Sequence, residues 1–242
     1  MKKAAKTFLF LLAVGLLIAT ASNSAVAQMS EKEKAEQLRK AGKTAVDASK
    51  VMNELMNIPT SSIPEALLKD AKAIAIFPGV VKAAFVIGGA GGQGLISRRL
   101  SSGWGAPTAY KFASGSAGFQ IGGSKTDLVM LFMSNESLKN LLEDQFEIGG
   151  EASAAAGPVG RTAKATTDAQ LQAQILSYSR TKGLFAGISI TGGVISADND
   201  RNMALYGYPA KQLLTGANKV PTASISPATK VLQETLTRHS PK

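Results

Sequence analysis

The chain has 242 residues, no cysteine, one histidine and a formal net charge of +10, from 27 basic against 17 acidic residues. The lack of cysteine excludes disulfides and thiolate metal sites. With a single histidine, His239, near the C-terminus, histidine triads, zinc centres and histidine proton shuttles are excluded too.

The N-terminus reads as a secretory signal peptide. Lys2, Lys3 and Lys6 form a positive start, Phe8 to Ala19 is an unbroken apolar run, and Ala25-Val26-Ala27 places small residues before an expected cleavage at Gln28. Twelve apolar residues are short of the roughly 20 needed to span a bilayer, so an uncleaved anchor is the lesser alternative. Loss of residues 1–27 removes three lysines and no acid, leaving 24 bases against 17 acids. The remainder is expected to be exported, periplasmic in a Gram-negative cell, and long enough for one domain with a real core.

Residues 30–57 carry Leu38, Ala41, Ala45, Ala48, Met52 and Leu55/Met56 at three- and four-residue steps, which predicts an amphipathic helix with Ser30 as N-cap and Pro59 as stop. Its polar face mixes both signs, as a helix packed on a domain does. A short helix is expected over Glu65–Lys69. Strands follow. Ala73–Phe77 ends at the turn signal Pro78-Gly79, and Val80–Ile87 is a second strand broken by Gly88-Gly89. Further strands are expected over 108–118, 127–133, 146–159 and 174–180, with a helical turn from Ser134 to Leu142. Leu184, Ala186, Ile188 and Ile190 alternate along a last long strand. The fold class is α+β: mainly antiparallel sheet with an N-terminal helix and short flanking helices. The domain spans 28–215, and 216–242 is expected to be a loosely ordered tail with one short helix near Val231–Leu236.

Charge falls in blocks. Between Asp70 and Asp127 no acid occurs, whereas Lys72, Lys82, Arg98, Arg99, Lys111 and Lys125 all do, among 12 of the 24 glycines. Residues 127–151 carry six acids against Lys139 alone. Either the acidic block folds against the basic one, or the basic stretch serves an anionic partner.

Motifs for catalysis fail on inspection. Gly89-Ala90-Gly91-Gly92-Gln93-Gly94 fits the dinucleotide pattern, yet no helix signal follows and the next acid is Asp127; these are glycines of a twisted strand or bulge. Gly42-Lys43-Thr44 sits inside the predicted helix without the upstream glycine of a phosphate loop. Asp198-Asn199-Asp200 meets Pro209 where a calcium loop needs glutamate, so it reads as a turn capping the next helix. No enzyme and no cofactor is expected.

The run Ala71-Lys72-Ala73-Ile74-Ala75-Ile76-Phe77-Pro78-Gly79-Val80, then Gly103-Trp104-Gly105-Ala106-Pro107 and Gly118-Phe119-Gln120-Ile121-Gly122-Gly123, resembles the SYLF lipid-binding domain. The likeness continues through Asp127-Leu128-Val129, Ala155 to Arg161, Thr167-Asp168, Tyr178 to Gly187 and Asn202 to Gly207, collinear over about residues 30–215. The resemblance implies a single domain related in shape to FYVE-type modules without their zinc. It also implies binding of anionic phospholipids, including phosphoinositides in eukaryotic members, some of which bind actin filaments. Ile190-Thr191-Gly192 stands where the family has Leu-Glu-Gly.

Two functions are therefore carried forward. One is an exported, peripheral module docking on anionic headgroups through Lys82, Arg98, Arg99, Lys111 and Lys125, with Arg161, Arg180 and Lys182 extending the patch and Trp104 inserting at the interface. The other is a cell-envelope interaction protein whose basic strands pair with a protein or an anionic polymer. Nucleic acid ranks below both, since no basic–aromatic stacking motif is present.

Overall fold

The computed structural model describes residues 29–60, 62–84, 87–117, 122–143, 145–160, 172–181, 184–215, 220 and 225–240. Helix α1 spans Glu31–Asn57. It starts in the predicted place, on a reciprocal capping box: the Ser30 N–H donates to Glu33 Oε2 at 2.9 Å, and the Glu33 N–H donates to Ser30 Oγ at 3.3 Å. Residues 34–240 belong to one compact unit. Ala41, Ala45 and Ala48 on α1 are fully buried; small side chains let the helix axis come close to the surface beneath it.

Among the described residues ten strands form one sheet. In chain order they are β1 Ala73–Ala84, β2 Ile87–Leu100, β3 Gly103–Trp104, β4 Thr108–Ala117, β5 Gly122–Phe132, β6 Gln145–Ile148, β7 Ala154–Ala156, β8 Ile175–Thr181, β9 Leu184–Gly187 and β10 Gly193–Ala197. Their order is β6-β10-β4-β2-β1-β5-β8-β7, with β3 on β2 and β9 on β8; β7–β8 is parallel and the other pairs are antiparallel. Short helices α2 Glu65–Asp70, α3 Asn135–Asn140, α4 Asn199–Tyr206 and α5 Ala210–Thr215 interrupt or flank the strands, and α6 Pro227–His239 closes the chain.

The sheet curls. Its two path ends, β6 and β7, are consecutive in sequence with only residues 149–153 between them. Six residue steps reach about 20 Å, whereas a flat path of eight strands is about 34 Å wide. The curl brings Phe132 of β5 against Phe146 of β6, ring centroids 6.2 Å apart, and Phe77 of β1 against Phe112 of β4 at 5.7 Å. Glycine makes room for these rings: a Cβ on Gly94 would stand 2.4 Å from the Phe77 ring and from the Ile76 carbonyl. The inner face thus holds Phe77, Tyr110, Phe112, Met130, Phe132, Phe146 and Leu214. The other face, with Ile74, Ile76, Leu95, Val129, Leu131 and Tyr178, is covered by α1 and α6. Strands β1 and β5 are buried on both faces, which explains their unbroken apolar runs.

Several sequence expectations change. Pro78-Gly79 does not end a strand; β1 continues through it as a bulge that shifts the register to both neighbours. Proline lacks the ladder N–H and Gly79 takes φ +61°, so the two residues that suit a turn suit a bulge equally. Gly88-Gly89 likewise lies inside β2. The region 146–159 divides into β6 and β7; the strand expected over Leu184–Ile190 stops at Gly187 as β9, and β10 begins beyond it, after Gly192 at φ +71°. Within β9, Phe185 is buried and Leu184 exposed, the reverse of the expected face.

The C-terminal segment is the largest correction. In place of a loose tail, Leu232 and Leu236 of α6 are buried in the core beside α1. Their i, i+4 spacing was too short a pattern to outweigh the surrounding Pro, Ser and Thr. A clasp fixes the end: Trp104 Nε1–H donates to the Ser240 carbonyl at 3.1 Å, and Gln233 donates to the Trp104 carbonyl at 2.6 Å. Arg99 stacks 4.1 Å over the Trp104 ring and donates to the carbonyls of Leu68 and Ala71 and to Ser240 Oγ. Asn202 is buried and brackets β4, accepting from the Ala109 N–H at 2.7 Å and donating to its carbonyl at 3.0 Å. Among the described residues no helix is long and apolar enough to cross a membrane.

Two outcomes are expected. Leu236→Ala leaves a cavity under α6 and lowers unfolding free energy by about 2–5 kcal/mol in urea titrations, whereas exposed Lys230→Ala stays within about 0.5 kcal/mol. His239 Nε2 lies 2.7 Å from Asn53 Oδ1, and burial, then the Arg238 charge, lower its pKa. Folding therefore disfavours protonation: the contribution is complete above about pH 6.5 and is lost as pH falls through the lowered folded value. His239→Gln flattens that part of the stability–pH curve.

Candidate functional site

A cleft of ≈ 320 Å³ opens between α1, the β1 bulge and strands β5 and β8, lined by Lys43, Asp47, Lys50, Val51, Pro78, Gly79, Lys125, Asp127 and Arg180. Its frame follows from the bulge. Gly79 turns its N–H to Asp127 Oδ1 at 2.7 Å. Asp127 on β5 stands opposite Arg180 on β8 in the ladder; Arg180 Nε donates to Asp127 Oδ2 at 2.7 Å, and Nη2 makes an ion pair with the same oxygen at 2.7 Å. Arg180 Nη1 reaches Glu54 on α1, and the guanidinium lies 5.2 Å from the Phe185 ring centroid. Burial is the largest influence on the Asp127 carboxyl and raises its pKa, with the Gly79 N–H pulling the other way; burial lowers that of Arg180. The group works as a rigid joint between bulge, sheet and helix.

The exposed rim is basic. Lys43 pairs with Asp47 at 2.6 Å and Lys50 approaches Glu54 at 3.9 Å, both along α1. Lys125 is exposed, with no carboxylate within ion-pair distance among the described residues. Lys125 neighbours Val81 across the β1–β5 ladder, and Val81 is 48 % exposed. Val46, 57 % exposed, sits one helical turn from both Lys43 and Lys50. Four cations against two carboxylates line the cleft, and the two carboxylates are already engaged. No group of three or more metal-ligating side chains gathers among the described residues.

The predicted patch is divided by the fold. Lys125 and Arg180 enter the cleft. Lys82 is exposed, but it follows Val81 on β1 and so points to the opposite face of the sheet. Lys111 is half exposed and lies 3.3 Å from Asp198. Arg98 donates to the Leu214 carbonyl at the end of α5, a cation at a helix C-terminus. Arg99 belongs to the clasp, where burial lowers its pKa. Trp104 is 3 % exposed and has no surface to insert. Arg161 and Lys182 lie outside the described residues. Among the described residues, no ion pair joins the basic stretch 71–126 to the acidic block 127–151; Asp127 turns to Arg180 instead.

Sequence reasoning missed Lys43 and Lys50. Positions 43, 47, 50 and 54 step by four, three and four, so a charged stripe at helical period ran beside the apolar one.

A family model described as Ysc84, Las17-binding protein actin regulator, matches residues 113–239, from β4 to the end of α6. The chain belongs to the Ysc84 family. It is 38% identical over 186 residues to Protein YSC84 of Saccharomyces cerevisiae, covering 73% of this chain and 39% of that protein. It is 36% identical over 185 residues to LAS seventeen-binding protein 3 of the same yeast, covering 74% and 40%. With SH3 domain-containing YSC84-like protein 1 of Homo sapiens it shares 31% over 169 residues, covering 67% and 49%. The chain thus spans two-fifths to one-half of these relatives. The Ysc84 match includes α6, in keeping with its place in the core and beyond the expected limit at residue 215.

Asp127→Ala removes the acceptor of the Gly79 N–H and of Arg180 Nε together, leaving Arg180 with Glu54 alone. A loss of about 1.5–3 kcal/mol in unfolding free energy is expected, read by urea titration, and Lys125→Gln leaves the midpoint nearly unchanged.

Proposed function

We propose that this chain is an exported, non-enzymatic binding module whose cleft and rim dock on the anionic headgroups of a phospholipid surface. The observation that carries the reading is Lys125: an exposed cation without a partner among the described residues, beside exposed Val81, in a cleft whose carboxylates are already engaged. A headgroup phosphate takes charge-assisted hydrogen bonds from Lys125, Lys43 and Lys50, while Val46 and Val81 meet the less polar layer beneath. Arg180, held by Asp127 and Glu54, positions the wall rather than binding. The SYLF resemblance supports the same ligand class. Export rests on the signal-like residues 1–27, which lie outside the described residues.

A second reading has its own support. The family description and a yeast relative carry the name of a Las17-binding protein; on that reading the same cations dock on an acidic protein surface. Recovery of one stoichiometric partner, with no vesicle binding, would favour it.

Sedimentation with neutral and anionic vesicles over a salt series separates the two. Binding to anionic vesicles only, weakening as salt rises, is expected. At ~1 kcal/mol per lysine, the triple variant Lys43→Gln, Lys50→Gln, Lys125→Gln binds roughly a hundredfold more weakly, with Lys230→Gln as the unaffected control. Equal binding to neutral vesicles, or an unchanged triple variant, refutes the docking surface as drawn.

A further inference from the structure

Arg201 of α4 is a charged side chain sealed from solvent, 2 % exposed. Its Nη2 donates to Gln93 Oε1 of β2 at 2.9 Å and lies 3.6 Å from Asp198 Oδ2; its Nε donates to Gln37 Oε1 of α1 at 3.3 Å. Its Nη1 is buried and finds no hydrogen-bond partner among the described residues. Lys111 Nζ of β4 takes the other oxygen of Asp198 at 3.3 Å. Two cations thus share one carboxylate. A buried guanidinium N–H left unmade bears its desolvation cost without return, and a positive cluster with a spare donor is what an anionic oxygen completes.

We propose that Arg201, Lys111, Gln93 and Gln37 form an oxyanion site that takes a phosphate monoester. The donor set fits. Arg201 offers Nη1 in a planar fork, and Lys111 has N–H donors beyond the one facing Asp198. Gln37 and Gln93 now present their amide oxygens to Arg201; rotation of either amide turns its NH₂ toward an arriving anion. Gln93 is exposed and Gln37 half-buried, so these two partners of the buried guanidinium are the side chains an anion meets first. The site stands on β2, β4, α4 and Gln37 of α1, whereas the cleft described above uses the β1 bulge, β5, β8 and α1 from Lys43 onward, so α1 is the one element they share. It holds whether or not that cleft binds lipid.

The same phosphate chemistry occurs in the free ion and at the end of a phosphatidic acid headgroup, so the test has two arms. In the first, the protein is titrated with inorganic phosphate by calorimetry. Saturable one-to-one binding is expected, weakened at least fivefold by Lys111→Gln and removed by Gln93→Glu. The new carboxylate of Gln93→Glu takes the Arg201 fork itself, so this variant also unfolds at a higher urea concentration than wild type, which shows that it is folded. In the second arm, wild type and Lys111→Gln are sedimented with phosphatidic acid vesicles at one ionic strength: weaker binding of the variant assigns the site to the headgroup, and equal binding assigns it to the free ion. Absence of phosphate binding, binding unchanged in both variants, or a lower unfolding midpoint for Gln93→Glu overturns the proposal.

Discussion

The connection of residues 149–153 between β6 and β7 is the constraint from which the rest of the architecture follows. Five residues cannot bridge the edges of a flat sheet of this width, so the sheet must roll until its edges come close. Rolling makes one face concave, and the aromatic rings of β1, β4, β5 and β6 converge there. Convergence needs space, which β2 supplies by carrying glycine at 92 and 94, where a side chain would collide with Val80 or Phe77. The glycine-rich stretch that looked like a nucleotide loop is therefore the hollow of a curled sheet.

The outer face is organised by α1. Its alanines and Met52 seat it on the apolar lower part of the sheet, where Ile74, Ile76, Leu95 and Val129 lie. Farther along, the same face carries Asp127 and Arg180 on one flank, and Gln93, Lys111, Asp198 and Arg201 on the other. The helix contributes to both, through Glu54 and Gln37. Polar side chains thus flank a helix whose seat is apolar. Ion pairs that are wholly buried, as Arg201–Asp198 is, or partly so, as Asp127–Arg180 is, add little net stability over an apolar packing, yet they are costly to break and fix orientation. The helix is held in one register, and its lysines are presented at a fixed place on the rim.

What was legible in the sequence was what local chemistry decides. Ser30 and Glu33 specify the start of α1 within four residues, and the apolar runs of β1 and β5 declare strands buried on both faces. Pro78-Gly79 was misread because turn and bulge require the same conformations, and only the neighbouring strands decide between them. Trp104 and Arg99 were misread for a related reason: their partners, Gln233 and Ser240, are more than 120 residues away. No local pattern announces such a clasp. The cleft was half legible, since Lys125 and Arg180 stood out as basic residues, whereas Lys43 and Lys50 were hidden among the mixed charges of a helix that also packs.

The division of the basic residues bears directly on function. A positive stretch without counter-charge invites the picture of one uniform patch, but side-chain alternation in a sheet forbids it: Lys82 and Lys125 emerge on opposite faces. Three of the nine expected contacts, Arg98, Arg99 and Trp104, are spent on holding α2, α5 and the C-terminus. At the rim of the cleft, one exposed lysine stands beside exposed valine, over carboxylates already committed to arginine, lysine and backbone. Discrimination there comes from what is satisfied as much as from what is free. An incoming cation finds its natural partners occupied, whereas an incoming anion finds Lys125 open. Net charge alone would attract any polyanion weakly and without preferred orientation; the half-buried Asp127–Arg180–Glu54 joint gives that attraction a defined place and direction.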